Sequence, residues 1–266
     1  MAPIVCRVTT PEYAHGHSEA VLSVHAWRTA ANSAAYLLPD LAPGMDVLDV
    51  GCGPGTITAD LARLVAPGRV TGLDSAAGVV TQARAAHPGA DFVVGDVYAL
   101  DFTDDSFDVV HAHQVLQHLD DPVTALREMR RVTRPGGVVA VRDVDFGSAV
   151  VHPEVPDWLE VYEPTARAMG GEPHAGRLLQ AWAHAAGLSD VTCSAGAWCF
   201  ATPQERDWWS GAYAERVVSS TYAVRAVELG ISTPARNQRV ARAWREWAAH
   251  PDGWLSLTHG QVLARV

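Results

Sequence analysis

The stretch from Val47 to Thr58, VLDVGCGPGTIT, constrains this chain more than any other. It opens as the apolar run of a buried parallel strand, bends through glycines at 51, 53 and 55, and passes into a helical pattern at Ile57. Glycines let the backbone turn tightly and let a ligand approach the main chain. The first turn of the following helix offers unpaired N–H groups to polar or anionic ligand atoms. Strand, glycine bend and helix in that order predict an α/β chain with a mostly parallel sheet.

The segments that follow repeat the pattern. A turn at Pro43-Gly44 precedes the first strand, a helix runs from about Thr56 to Val65, and Pro67-Gly68 ends it. The second strand, Arg69 to Leu73, stops at Asp74, which lies 19 residues beyond Gly55. A carboxylate at that strand tip can accept hydrogen bonds from both hydroxyls of a ribose. The structural alternative is an N-terminal cap, because Ser75 and an alanine-rich helix from Ala76 to Ala86 follow. A third strand, Asp91 to Gly95, leads to Asp96, and a fourth begins at Phe107. The loop spacing is GxGxG rather than the GxGxxG of dinucleotide sites, and Asp49 sits two residues before the first glycine. An acid there suits an ammonium better than a pyrophosphate.

Four stretches together carry a resemblance: LDVGCGPG at 48–55, GDVYALDF at 95–102, DDSFDVV at 104–110 and RPGG at 134–137. Over residues 45 to 145 the chain resembles the class I, seven-strand, Rossmann-like S-adenosylmethionine-dependent methyltransferases of small-molecule type, near the ubiquinone/menaquinone methyltransferases and the methyltransferase domain 11/25 group. The resemblance implies an α/β three-layer sandwich with a seven-stranded sheet in the order 3-2-1-4-5-7-6. It implies S-adenosyl-L-methionine as methyl donor, S-adenosyl-L-homocysteine as product, and no metal. Cofactor contacts are expected from Asp49, Gly51, Cys52, Gly53, Gly55, Asp74, Ser75 and Gly95. Asp96 would take the adenine amino group and the Val97 N–H a ring nitrogen. A main-chain carbonyl near His113 or Gln114 would hold the ammonium. In relatives an N-terminal arm meets the carboxylate end, which nominates Tyr13, His17 and Arg28 around a helix expected from Ser18 to Leu38.

The fourth strand ends in HAHQVLQHL, with His111 and His113 on one face and His118 just beyond. Three histidines so close raise a metal site, but no third ligand with suitable spacing is evident, and a steric or structural role is the alternative. A base is needed only if the acceptor must lose a proton. His118, His113, Asp143 and Asp145 are the candidates in that order. Arg142, Asp143 and Asp145 emerge from an apolar fifth strand, Val138 to Val144, where a bracing Arg–Asp pair is the other reading.

Beyond residue 145 the plan acquires additions. Residues 1–40 read as an arm and helix, 45–145 as the cofactor-binding core, 146–175 and 202–252 as helical insertions, and 253–266 as the final strand. An inserted helix is expected over Pro153–Met169, another over Ala175–Ala186 with Gly187 as its stop, and the sixth strand over Ser189–Phe200. The roughly 50 residues between the sixth and seventh strands are too long for a structureless loop, so they are expected to form a helical cap over the substrate. Their aromatics, Trp208, Trp209, Tyr213, Tyr222, Trp244 and Trp247, either pack the helices together or line an apolar acceptor pocket.

With 266 residues and 48% hydrophobic content, the chain can bury one full α/β core. A net charge of −10 without basic clusters argues against nucleic acid. Four cysteines without zinc-ligand spacing, no secretory pattern and no long apolar stretch predict a soluble cytoplasmic monomer or homodimer with no membrane insertion. The expected partner is a small-molecule methyl acceptor. A nicotinamide-dependent oxidoreductase and a non-catalytic S-adenosylmethionine-binding protein remain the alternative readings.

Overall fold

The glycine bend lies at the carboxyl edge of a seven-stranded sheet. In the computed structural model, which describes residues 27–266, the elements run α1 (Ala30–Ser33), β1 (Asp46–Val50), α2 (Thr56–Val65), β2 (Arg69–Asp74), α3 (Ala77–Ala86), β3 (Asp91–Val94), β4 (Phe107–His113), α4 (Pro122–Val132) and β5 (Thr133–His152). They continue with α5 (Trp158–Ala168), α6 (Leu179–Ala185), β6 (Asp190–Phe200), α7 (Pro203–Ser219), α8 (Thr221–Glu228), α9 (Pro234–Ala249) and β7 (Trp254–Arg265). The strand order is β3-β2-β1-β4-β5-β7-β6. β1 to β5 pair in parallel, and β7 runs antiparallel to both β5 and β6.

Alternation along β1 sends side chains to both faces of the sheet. Val47 joins Ile57, Leu61 and Val65 of α2 on one face. Leu48 and Val50 join Leu126 and Met129 of α4 and Leu179 and Ala183 of α6 on the other. A helix layer therefore covers each side, the three-layer arrangement expected from the sequence. α7, α8 and α9 stand between β6 and β7, where a helical insertion was expected.

A third large core lies past the sheet. Phe146, Trp158, Tyr162, Trp198, Phe200, Trp209, Tyr213, Trp244, Trp247, Leu255 and Leu257 bury one another in it. Trp244 is fully buried, with ring centroids 4.8 Å from Trp158, 5.3 Å from Trp247 and 5.6 Å from Tyr213. Such offset and edge-to-face pairs lock the inserted helices to each other.

Several expected boundaries shift. The fifth strand was expected over Val138–Val144, but β5 runs from Thr133 to His152, with a register shift between Asp145 and Val150. Its far end pairs with Trp254–Ser256 of β7, and Phe146 drops into the aromatic core. Within the described residues the expected Ser18–Leu38 helix is a four-residue α1, because Thr29 caps it in an extended conformation (φ −128°, ψ 164°). Tyr13, His17 and the earlier part of that helix lie outside the described residues. The expected Ala175–Ala186 helix divides into a 3-10 turn, Ala175–Arg177, and α6. Gly176 lies in that turn, where a Cβ would stand 2.7 Å from the Asp143 carbonyl. α5 starts at Trp158 rather than Pro153, after Asp157 at φ +66°.

Candidate active site

A cavity of about 520 Å³ opens where the carboxyl ends of β1, β2, β3 and β4 meet. Sites in open α/β sheets form at this edge. Its glycine wall has a steric cause. Gly51, Gly53 and Gly55 all take positive φ (66°, 55° and 82°). A Cβ on Gly51 would come within 2.4 Å of Val115, and one on Gly55 within 2.7 Å of the Phe92 ring. Gly51, Cys52 and Gly53 line the cavity; Gly55 does not, and acts by letting the bend press against Phe92. Cys52 is buried, and burial together with Asp49 and Asp74 pushes its thiol pKa well up, so it stays protonated at neutral pH.

Asp74 stitches two walls together. Its Oδ2 accepts from Gly53 N–H at 3.1 Å, and its Oδ1 accepts from Ala76 N–H at 3.0 Å, just ahead of α3. The carboxylate retains further acceptor capacity and lines the cavity with Ser75, Gly95, Asp96 and Val97. Asp96 Oδ1 accepts from Tyr98 N–H at 2.9 Å, holding its loop closed. Asp49, 2% exposed, is engaged on both oxygens: Oδ1 lies 2.8 Å from His111 Nδ1, and Oδ2 accepts from Thr58 Oγ1 at 2.6 Å. It braces β1 against β4 and α2 as well as reaching the cavity wall.

The fourth strand tip turns through Gln114 at φ +55°, a left-handed conformation unusual for a side chain with Cβ. Three bonds hold it. Its N–H donates to the Arg142 carbonyl (2.7 Å), its Oε1 accepts from Arg28 Nη2 (2.5 Å), and its Nε2 meets His259 Nε2 at 2.9 Å. Because the amide donates, His259 carries its proton on Nδ1 and gives it to the Leu257 carbonyl (3.2 Å). Arg28, His113, Gln114 and His118 all line the cavity.

His113 is 5% exposed; burial, then the charges of Arg28 and Arg142, hold its pKa well below the ordinary histidine value. Burial, Arg216 and Arg28 push His118 down to about 3. Both rings are neutral at pH 7 and weak as proton acceptors.

Asp143 and Asp145, expected as further base candidates, do not line the cavity. Asp143 is fully buried, accepts from Gln117 N–H at 3.3 Å, and is pushed up to about 7 by burial. Asp145 is held in a two-pronged pair by Arg177 (2.5 and 2.8 Å). A bracing Arg–Asp pair does exist here, but Arg177 supplies it, not Arg142. Sequence reasoning overlooked His259, whose place in WLSLTHGQ held a signal: alternation sets it on the buried side with Leu255 and Leu257. It also overlooked Arg216 and Trp198, which carry no local signature. Among the described residues no cluster of three or more histidines, cysteines or acids is placed to hold a metal ion. No helix among them is long and apolar enough to cross a membrane.

Comparison with known proteins points to one family. A methyltransferase domain model matches residues 48–141, the span from the glycine strand to β5. An uncharacterised methyltransferase of Schizosaccharomyces pombe is 35% identical over 266 residues, covering 94% of this chain and 95% of its own. The Aspergillus luteorubrus protein named "Probable methyltransferase ltbC" is 30% identical over 278 residues, covering 96% and 97%. The crystal structure of the YcgJ protein of Bacillus subtilis shares the fold, with a TM-score of 0.57 at 18% identity over 87% of this chain and 96% of that one. With full-length relatives at this identity, the motif match and the sheet order all agreeing, the chain belongs to the class I S-adenosylmethionine-dependent methyltransferases.

Proposed function

We propose that this protein transfers the methyl group of S-adenosylmethionine to a small molecule with apolar or aromatic character, by direct displacement within the cavity. The observation that carries the reading is the convergence of Asp74 and Asp96, from adjacent strand tips, on the cavity walled by Gly51 and Gly53. The fit to the donor is chemical. Asp74 keeps acceptor capacity for ribose hydroxyls, Asp96 and the Val97 N–H offer an acceptor beside a donor for a base edge, and the glycines leave the main chain open. The donor, when bound, supplies an electrophilic methyl group.

The rest is the chain's own work. Gln114, locked by three partners, fixes the β4 tip where a main-chain carbonyl would take the ammonium. Arg28, on the cavity wall, would meet the carboxylate end. The neutral rings of His113 and His118 wall the opposite side and orient the acceptor. Alignment and exclusion of water supply the acceleration in a displacement of this kind. The cap aromatics pack on one another and do not line the cavity; Val115 and Leu119 on its wall support an acceptor of apolar character.

Calorimetric titration with S-adenosylhomocysteine tests the site. Asp74→Ala is expected to weaken binding about 100-fold, by removing a charged acceptor that also ties the loop, while circular dichroism stays native. Unchanged affinity would refute the assignment. Methyl transfer from labelled donor across an acceptor library separates an enzyme from a binding protein.

A further inference from the structure

The cavity wall carries both signs of charge: Asp49, Asp74, Asp96, Asp120 and Asp121 line it, and so do Arg28, His113 and His118. Behind the two histidines stand two more guanidinium groups. Arg142, 2% exposed, places Nη1 3.5 Å from His113 Nδ1 and its Cζ 4.9 Å from the Trp198 ring centroid. Arg216, 7% exposed on α7, lies with Cζ 4.7 Å from the Tyr213 ring centroid, and its charge reaches His118. Among the described residues neither arginine has a carboxylate at ion-pair distance, and the Nε of each is a buried donor without a partner.

Buried charges are ordinarily paired, because an isolated one loses several kcal/mol of solvation. Scarcity of acids does not explain the omission here, since the chain has 30 acidic against 20 basic residues. The cap repeats the asymmetry. Trp158, Trp209 and Trp244 each bury an indole N–H without an acceptor, and their rings surround Tyr213 at 5.9, 4.3 and 5.6 Å. Indole and guanidinium groups donate only. His113 adds one more: its Nδ1 faces Arg142, so Nε2 holds the proton, and that atom is also without a partner. Of these groups His113 lines the cavity, and the two guanidinium groups behind the histidines make that side of it favourable to an oxyanion.

We propose that the methyl acceptor is an anion, an apolar or aromatic molecule bearing a carboxylate or ionised hydroxyl, which docks with its charge toward Arg216 and Arg142 across the His118–His113 wall. This rests on the cavity being the methyl-transfer site. Held neutral, the two histidines add no positive charge of their own and contribute polar contacts, while the arginines behind them supply the attraction. Val115 and Leu119 on the cavity wall then meet the apolar body.

Matched probes that differ in charge test it. The full chain, saturated with S-adenosylhomocysteine, is titrated calorimetrically with 2-naphthoate, with 2-naphthamide and with ionised 4-nitrophenol. Naphthoate is expected to bind at least about tenfold more tightly than the amide; 4-nitrophenolate binding instead would assign the oxyanion as an ionised hydroxyl. Arg216→Met keeps an apolar stem over Tyr213 and should abolish the preference, Arg142→Met should reduce it, and Arg216→Lys should retain it. A cooperative thermal unfolding transition, and S-adenosylhomocysteine affinity within about twofold of the parent, show that the variants fold. Equal affinity for charged and neutral probes, no binding of any probe, or a preference that survives both Met substitutions would overturn the proposal. Failure to bind S-adenosylhomocysteine, seen before any probe is added, would instead break the methyltransferase site reading.

Discussion

The cavity at the strand tips and the aromatic core under the cap helices are built by different means. The first is made of strand tips and main chain: glycines with positive φ, N–H groups, and carboxylates within a few residues of β1, β2 and β3. The second is made of side chains from distant segments, with Trp158, Trp198, Tyr213 and Trp244 arriving from α5, β6, α7 and α9. Backbone geometry tolerates little change, whereas a side-chain core can lose stability without losing its neighbour's shape.

That contrast can be broken by mutation. The largest effect is expected from Trp244→Ala, which empties the middle of the cap core and should lower unfolding free energy by about 4 kcal/mol, measured by denaturant titration. If the two regions are independent, affinity for S-adenosylhomocysteine stays within about threefold; a larger loss would show that the cap helps to shape the cavity. Next comes Gly55→Val, whose Cβ meets the Phe92 ring at a φ that disfavours side chains. It should lose about 3 kcal/mol and, unlike Trp244→Ala, carry cofactor affinity down with it. Retained affinity would mean that the bend adapts.

The smallest effect is one of pH, and its sign differs between two buried groups. His118, with a folded pKa of about 3 against an ordinary 6.5, makes no difference above pH 6.5, where its ring is neutral folded or unfolded. As pH falls below that, the unfolded chain takes the proton first, so stability drops by at most ~1.4 kcal/mol per unit. His118→Gln should flatten that fall. Asp143, pushed up to about 7, acts the other way: the folded state holds the proton between about 4 and 7, so its stabilising share is lost as pH rises through 7. Melting temperature of Asp143→Asn relative to the parent should therefore climb by a few degrees from pH 5 to 8. A difference that is flat with pH would show that Asp143 ionises normally.

How much of this was legible follows the same division. α2 lies at Thr56–Val65 as the sequence implied, because glycine before it and proline after it are local signals. The acids at 74 and 96 were visible because each ends a short apolar run that pairs in parallel with its neighbour. β5 was not readable to its full length, since what extends it is pairing with β7; Ser148 Oγ accepts from Thr258 N–H across 110 residues of chain. No window of sequence contains both partners. The place of Asp145 was hidden for a related reason. Asp145 is spent on Arg177, 32 residues away, and nothing near Asp145 announces it.

β7 is the last strand in chain order yet lies between β5 and β6, and its His259 is the partner that finishes the Gln114 tip. During synthesis the glycine bend and its three strand tips can form while β7 is still unmade. The glycine edge of the cavity would thus exist before the contact that holds the Gln114 tip does. A nascent chain of this protein should therefore form the glycine edge early and lock the Gln114 tip only when β7 is in place.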